Sequence, residues 1–365
     1  MYASRIAADP PTVMMIEGFA PAIDDLAVRN LAGHGFLRAA WYRGDGQRAG
    51  RTLVVRRGGS GDVIAAIPTL AFGPAITGAR KLAGGYWPLR APLLAPDCSA
   101  IELAHALADP AARGLGQVCR IGPTRRDDPA MALLVTAAQL AGWRILSRPA
   151  GTSWVIDLDA VRAHPPQRGS TPRKLRAGWR KLEALGTPRW WTVRGAQWSA
   201  AALEAMARVE ADSWIARTTD GSGAKFLTAA QRAVWQEALR DPVIAEGLVA
   251  IILMLDERPV AFSFDLDDGP VRYAIAGTHA EDLRHCQVGK IANYHSLDAA
   301  LAEGLRTLDL GTGDSGYKRD MGAVAGYDLV DLLFVRSRIA ARLIAPLWGE
   351  ALAADEGAAR SLAHG

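Results

Sequence analysis

Three apolar runs, Leu248–Leu255, Pro259–Leu266 and Val271–Gly277, follow one another, with Asp256-Glu257-Arg258 and Asp267-Asp268-Gly269 supplying the turns between them. Runs of strand length joined by such short polar turns favour an antiparallel return, so they predict a three-stranded meander. Directly after it, residues 288–304 carry Ala292, Leu297, Ala300 and Leu301 at helical spacing and predict a long helix. A strand over Arg306–Leu310 comes next. The loop GTGDSGYKRDMG then precedes a last strand, Asp328–Val335, and a C-terminal amphipathic helix over Phe334–Leu352.

The 365 residues suffice for two domains, since one takes roughly 100–200 residues. Half of them are hydrophobic and 22% charged, which excludes a disordered chain. The segment Ala163–Thr171, rich in Pro and Gly, reads as a linker between a domain over 1–162 and a second over 172–349, with 350–365 as a tail. Thr171 is placed to cap a helix opened by Pro172 and closed at Gly186. Further helices are predicted over 199–214 and 227–240. The first half repeats part of the scheme. Gly35–Arg43, Thr52–Arg57, Val63–Thr69, Gln117–Ile121 and Ser153–Leu158 are strand-like, and Ser99–Ala108 and Pro129–Ala141 helical. Two α+β halves of similar order suggest a duplication.

The net charge of +4 is unevenly distributed. Nine Lys or Arg and one acid, Glu183, lie between Arg162 and Arg194, which leaves 33 basic against 37 acidic residues elsewhere. All the positive excess therefore sits in one stretch. That stretch is either a solvated helix face or a local anion site for the phosphates of a donor, a nucleotide-linked substrate or an RNA. The longest apolar run, Leu248–Leu255, is far short of the ~20 residues of a membrane-spanning helix. The N-terminal residues lack the basic start and apolar core of a secretion signal. Three cysteines in no metal-knuckle spacing suit a reducing compartment, so a cytoplasmic location is expected.

Three motif matches fail on physical grounds. Gly311-x-Gly313-x-x-Gly316 spells a dinucleotide fingerprint, but Gly322 and Gly326 leave no room for the full helix that must follow it. Gly313-Asp314-Ser315-Gly316 matches the nucleophile segment of trypsin-like proteases, which are all-β and usually disulfide-bonded. His279, His285 and Cys286 have neither HxxxH nor CxxC spacing, so no metal site is expected.

The β-β-β-α-β-loop-β order is that of the GNAT N-acyltransferases. More particularly, residues 165–335 resemble the acyltransferase domain of the FemAB-like, CelD (BioF2-type) family. The matching segments are TPRKLR at 171–176, Glu210-Ala-Asp-Ser213-Trp214, Arg258-Pro-Val-Ala261, Val288-Gly289 and AEGLRTLDLG at 302–311. Above all there is Gly313-Asp-Ser-Gly316-Tyr317-Lys318. Arg80–Trp87 and Pro92-Leu93 resemble the degenerate N-terminal half of these proteins. The resemblance implies a mixed α/β fold of tandem GNAT-like domains, the N-terminal one degenerate.

The same resemblance implies an N-acyltransferase that moves an acyl group from a thioester, acyl-CoA first, to an amine of a small-molecule or cell-envelope precursor, without a metal. The alternatives are an aminoacyl-tRNA-dependent FemAB-like ligase, whose tRNA or nucleotide-linked substrate the basic helix would serve, and a non-catalytic module in polysaccharide or lipid export. The donor would sit in the C-terminal domain, with its phosphates at Gln287, Val288, Gly289 and Lys290, where a helix N-terminus offers unpaired amides. Acyl transfer needs positioning, proton removal from the amine and stabilisation of the oxyanion. The catalytic candidates are Lys318 for developing negative charge or the donor's phosphate, Asp314 as base, and Tyr317 at the donor or leaving group. Trp214, Arg217, Tyr273 and His279 are the expected acceptor contacts, and Asp309 is expected to finish a strand. The usual GNAT signature, (Q/R)xxGx(G/A), is only partly present. Cys286 and Ile291 depart from it, and Gln287 is one position off. The C-terminal helix, with Arg336, Arg338 and Arg342, is expected to pack on its own sheet, arginines outward, the alternative being an anionic membrane surface.

Overall fold

The computed structural model of the chain describes residues 10–44, 50–84, 90–164, 170–218, 223–313 and 316–349. In chain order its first half holds β1 (Thr12–Glu17), α1 (Ala22–Ala27), α2 (Ala39–Arg43), β2 (Arg51–Arg56), β3 (Val63–Ala71), β4 (Arg80–Leu82), β5 (Leu93–Leu94), α3 (Ala100–Ala108), β6 (Val118–Arg125), α4 (Pro129–Leu140) and β7 (Arg144–Asp157). Then come α5 (Leu158–Ala163), α6 (Ser170–Glu183), β8 (Pro188–Arg194), α7 (Ala200–Asp212), α8 (Trp214–Thr218), α9 (Ala229–Ala238) and α10 (Pro242–Gly247). They are followed by β9 (Leu248–Leu255), β10 (Arg258–Asp268), β11 (Val271–His279), α11 (Val288–Ala302), β12 (Thr307–Thr312), α12 (Tyr317–Asp320), β13 (Val324–Val335) and a last helix, α13 (338–349).

Two compact units result, 1–151 with 327–365, and 152–326. This corrects the expected division at 163–171. The chain passes from one unit to the other within β7, whereas Pro and Gly content points to a later segment. Residues 165–169 of that segment lie outside those described. Residues 327–349, expected in the second domain, belong with the first unit, because β13 pairs antiparallel with β6 through Leu329↔Arg125 to Val335↔Val118.

The two units repeat one pairing pattern. In the first, β1, β2, β3 and β4 are antiparallel neighbours, β4 and β6 are parallel, and β6 is antiparallel to β13. In the second, β8, β9, β10 and β11 are antiparallel, β11 and β12 are parallel, and β12 is antiparallel to residues 153–157 of β7. The fold is thus mixed α/β and tandem, as expected.

Local chemistry accounts for the elements. The β9–β10 turn holds Asp256 at φ 52°, and the β10–β11 turn places Gly269 at φ 57°, the positive values that two-residue hairpins need. Ser99 and Glu102 form a capping box on α3, Asp128 caps α4 ahead of Pro129, and Thr228 with Gln231 caps α9. Helix α6 begins at Ser170, so Thr171 is helical instead of capping. Gly35–Arg43, expected as a strand, turns into α2. The N–H of Ala39 is received by Asp24 Oδ1 at 2.7 Å, a cap from a distant segment.

The core of the second unit has two faces. On one, Leu253, Val260 and Ala261 pack under Leu182 of α6 and Val288, Ile291 and Ala292 of α11. On the other, Phe226, Phe262, Phe264, Trp235 and Trp198 meet edge-to-face. The sheet therefore fixes α11 against one side of β10.

Candidate active site

The site of the second unit begins with β11, α11 and β12, a parallel pair with its crossover helix. Only Val271↔Thr307, Arg272↔Leu308 and Tyr273↔Asp309 pair, yet β11 runs on to His279 and β12 to Thr312. Past Tyr273 and Asp309 the strands fork, and their backbone groups on the fork side are not paired to each other. Ligands of open α/β sheets enter at the carboxyl ends of parallel strands, where this fork lies.

The N-terminus of α11 stands at the same end. A 3-10 turn, Glu281–Cys286, leads into Gln287, whose φ of 59° is left-handed. The Gln287 side chain does not cap the helix, so the first-turn amides of Val288, Gly289 and Lys290 carry the partial positive charge of a helix N-terminus. Gly289 is expected to let a ligand approach. Instead it makes room for His279, whose Nδ1 would lie 2.5 Å from an added Cβ. Burial lowers the pKa of that imidazole, so the neutral ring faces the helix end.

Helix α12 is fastened to the first turns of α11. Tyr294 donates its hydroxyl to Asp320 O at 3.0 Å, and Lys290 Nζ lies 3.6 Å from Asp320 Oδ2. Four expected residues, Gly289, Lys290, Tyr317 and Lys318, are thereby gathered on α11 and the helix bound to it. Tyr317 is 40% exposed. Lys318 corrects the expectation, since its side chain turns inward and is 4% exposed. Its Nζ donates to Gly311 O at 2.9 Å and Thr312 O at 2.7 Å. Burial pulls its pKa down to about 8, against the opposing charge of Asp309. Asp309 is buried as well and accepts from Gly311 N–H at 2.8 Å and from Ser153 Oγ. Lys318 and Asp309 thus clamp the irregular end of β12 from two sides. Asp314 lies outside the described residues.

Trp214 and Arg217 stand on α8, which opens onto solvent. Trp214 is 49% exposed, so it is not a core residue. Arg258 joins this region to the 3-10 turn before α11, because its guanidinium bonds both Asp212 and Asp282 at 2.8–3.0 Å. Tyr273, by contrast, is buried at the last paired position of the fork. Glu210, part of the resemblance, has a structural role and accepts the N–H groups of Lys225 and Phe226 at 2.7 Å.

Helix α6 flanks the α11 terminus. Gly178 is pressed on Cys286 O and Ile291, and Lys181 Nζ reaches His285 O at 3.3 Å. The basic stretch contracts here to Arg173, Lys174, Arg176, Arg180 and Lys181, all exposed. Arg162 and Arg194 are bound elsewhere, Arg162 by Asp159 and two carbonyls, Arg194 by Asp267 and Glu303.

One group escapes sequence reasoning. Asp265 is buried on β10, accepts from Ser296 Oγ of α11 at 2.9 Å, and has its pKa pushed up to about 6 by burial. A carboxylate within an otherwise apolar strand is the available signal. Among the described residues no group of three or more His, Cys, Asp or Glu could hold a metal ion.

Residues 169–319 match the family described as Acetyltransferase (GNAT) domain. The fold agrees with solved structures over most of the chain. FemX has TM-score 0.57 at 11% identity, covering 88% of this chain and 97% of its own. L-PGS from Bacillus licheniformis has TM-score 0.55 at 14% identity, covering 91% and 96%. The C-terminal domain of a protein assigned as a lysylphosphatidylglycerol synthetase, from Agrobacterium fabrum, has TM-score 0.53 at 13% identity, covering 88% and 92%. No curated protein matches in sequence. Residues 169–319 thus match a GNAT-type domain. In fold the chain is similar to FemX, in line with the FemAB-like resemblance of its motifs.

Proposed function

We propose that this protein moves an acyl group from a thioester carried on a phosphate-bearing donor, acyl-CoA first, to the amine of a small-molecule or envelope precursor. The observation that carries this reading is the fork. The β11–β12 pairing ends at Tyr273 and Asp309, and the N-terminus of α11 stands at the same end. A donor's phosphates would lie against the amides of Val288–Lys290, with Lys290 adding charge. Its extended arm would lie in the fork, between the diverging strands.

Transfer then requires the amine nitrogen to bond the carbonyl carbon, the C–S bond to break, and a proton to pass from nitrogen to a base. His279, held neutral, is the described group at the helix end suited to receive it. Asp314 is the other candidate. Tyr317 would return a proton to the leaving sulfur. Lys318 acts by fixing the end of β12, a positioning role, and Trp214 and Arg217 would border the acceptor.

The test is thiol release from a panel of acyl-CoAs by RNA-free protein. Release lost in Tyr317→Phe and His279→Ala supports the reading, and no release from any acyl-CoA removes the donor assignment. A second reading, an aminoacyl-tRNA donor, draws on the exposed cations of α6. Transfer that needs added aminoacyl-tRNA would establish it.

A further inference from the structure

We propose that the outward face of α13 docks this protein on an anionic lipid bilayer. The inference rests on the first unit alone and is independent of the donor and acceptor assigned above.

At 3.6 residues per turn, α13 divides into three faces. Ala341, Ile344 and Trp348 turn to the sheet beside Leu333 and Val335. That face is locked. Arg148 stacks on the Trp348 ring at 3.8 Å, donates to Trp348 O, and is itself held by buried Asp331, as is Arg120. The second face presents Ile339, Leu343 and Leu347, one turn apart and 73%, 71% and 66% exposed. The third presents Arg338 and Arg342, both exposed and forming no ion pair with any described residue. Arg336, expected among the outward arginines, is instead fixed to Ala112 O and Gly116 O and stacked on Trp143. The helix is thus anchored on one side and offers water an aliphatic stripe with a cationic border.

Charge decides the occupant. A second copy brought face to face would set Arg338 and Arg342 near their own counterparts. Three side chains also fall short of the roughly 800 Å² per partner of a stable dimer. An anionic bilayer accepts both features, aliphatic side chains at the acyl boundary and arginines among the headgroups. No helix among the described residues is long and apolar enough to cross a membrane, so the contact is peripheral.

The test is co-sedimentation of the full chain with vesicles of phosphatidylcholine alone and of phosphatidylcholine with about one third phosphatidylglycerol. Binding is expected to the mixed vesicles only. With two arginines near the surface, Arg338→Ala with Arg342→Ala weakens it about thirtyfold. Leu343→Asp abolishes it at an unchanged melting temperature. Equal binding to both vesicles, or no binding by the wild type, overturns the proposal. So does a dimer that Leu343→Asp dissolves without any vesicle binding, or vesicle binding that appears only after residues 350–365 are removed.

Discussion

The imidazole of His279 occupies the space that a side chain at Gly289 would need, with Nδ1 2.5 Å from the missing Cβ. The end of β11 and the start of α11 are therefore fitted to each other through one ring and one absent methyl group. Gly289→Ala should push the ring away and cost about 1–3 kcal/mol by overpacking. Combining it with His279→Ala should restore most of that loss, since the obstacle is gone, while transfer stays low. Urea unfolding of the two single variants and the double variant measures the coupling. Simple additivity would show that ring and glycine do not meet.

Asp265 gives a pH dependence with a definite sign. Its folded pKa, about 6, lies above the ordinary aspartate value of 3.8 because burial disfavours the carboxylate. Between those values the native state holds more protons than the unfolded chain, so stability falls as pH rises from 3.8 through 6. Asp265→Asn cannot ionise. The wild type should lose ground to this variant across that window and keep a constant difference above it, as read from unfolding at about pH 4, 5, 6 and 7. A difference moving the other way would mean that Arg272 dominates the site.

Glu210 accepts two amides of the 225–226 loop from a buried position. Glu210→Ala should cost about 1–3 kcal/mol, because the buried N–H of Phe226 and the part-buried N–H of Lys225 lose their acceptor. Thermal melting reads this directly. A loss of activity at full stability would give the residue a chemical role instead.

Trp214, half exposed on α8, behaves oppositely. Trp214→Ala should shift stability by no more than about 0.5 kcal/mol, as exposed substitutions do. It should also raise the KM for the amine acceptor about tenfold with kcat little changed. Parallel melting and steady-state kinetics separate these effects.

The centre of the second unit is legible in the sequence because its signals are local. The Asp256-Glu257 and Asp268-Gly269 turns and the apolar spacing of α11 each act within a few residues. What is not legible depends on distant partners. The segment before Arg43 is helical because Asp24 caps it. The strands Thr12–Glu17 and Pro188–Arg194 lie at sheet edges, where burial is only partial, and the second carries Arg189 and Arg194. At the site, sequence order places Gly289, Lys290, Tyr317 and Lys318 on elements that do come together. It does not reveal that Lys318 faces inward, because that depends on the carbonyls of Gly311 and Thr312.

The excursion of the chain at residue 151 and its return at 327 make the first unit discontinuous. While the protein is being synthesised, β6 emerges about two hundred residues before β13, the strand that covers its edge. The earlier half must therefore wait with one flank unsealed until β13 has been made, whereas 152–326 can fold as soon as its own residues are out. A nascent chain cut short after β12 would present that bare flank to its neighbours, which makes premature termination a route to aggregation for this architecture.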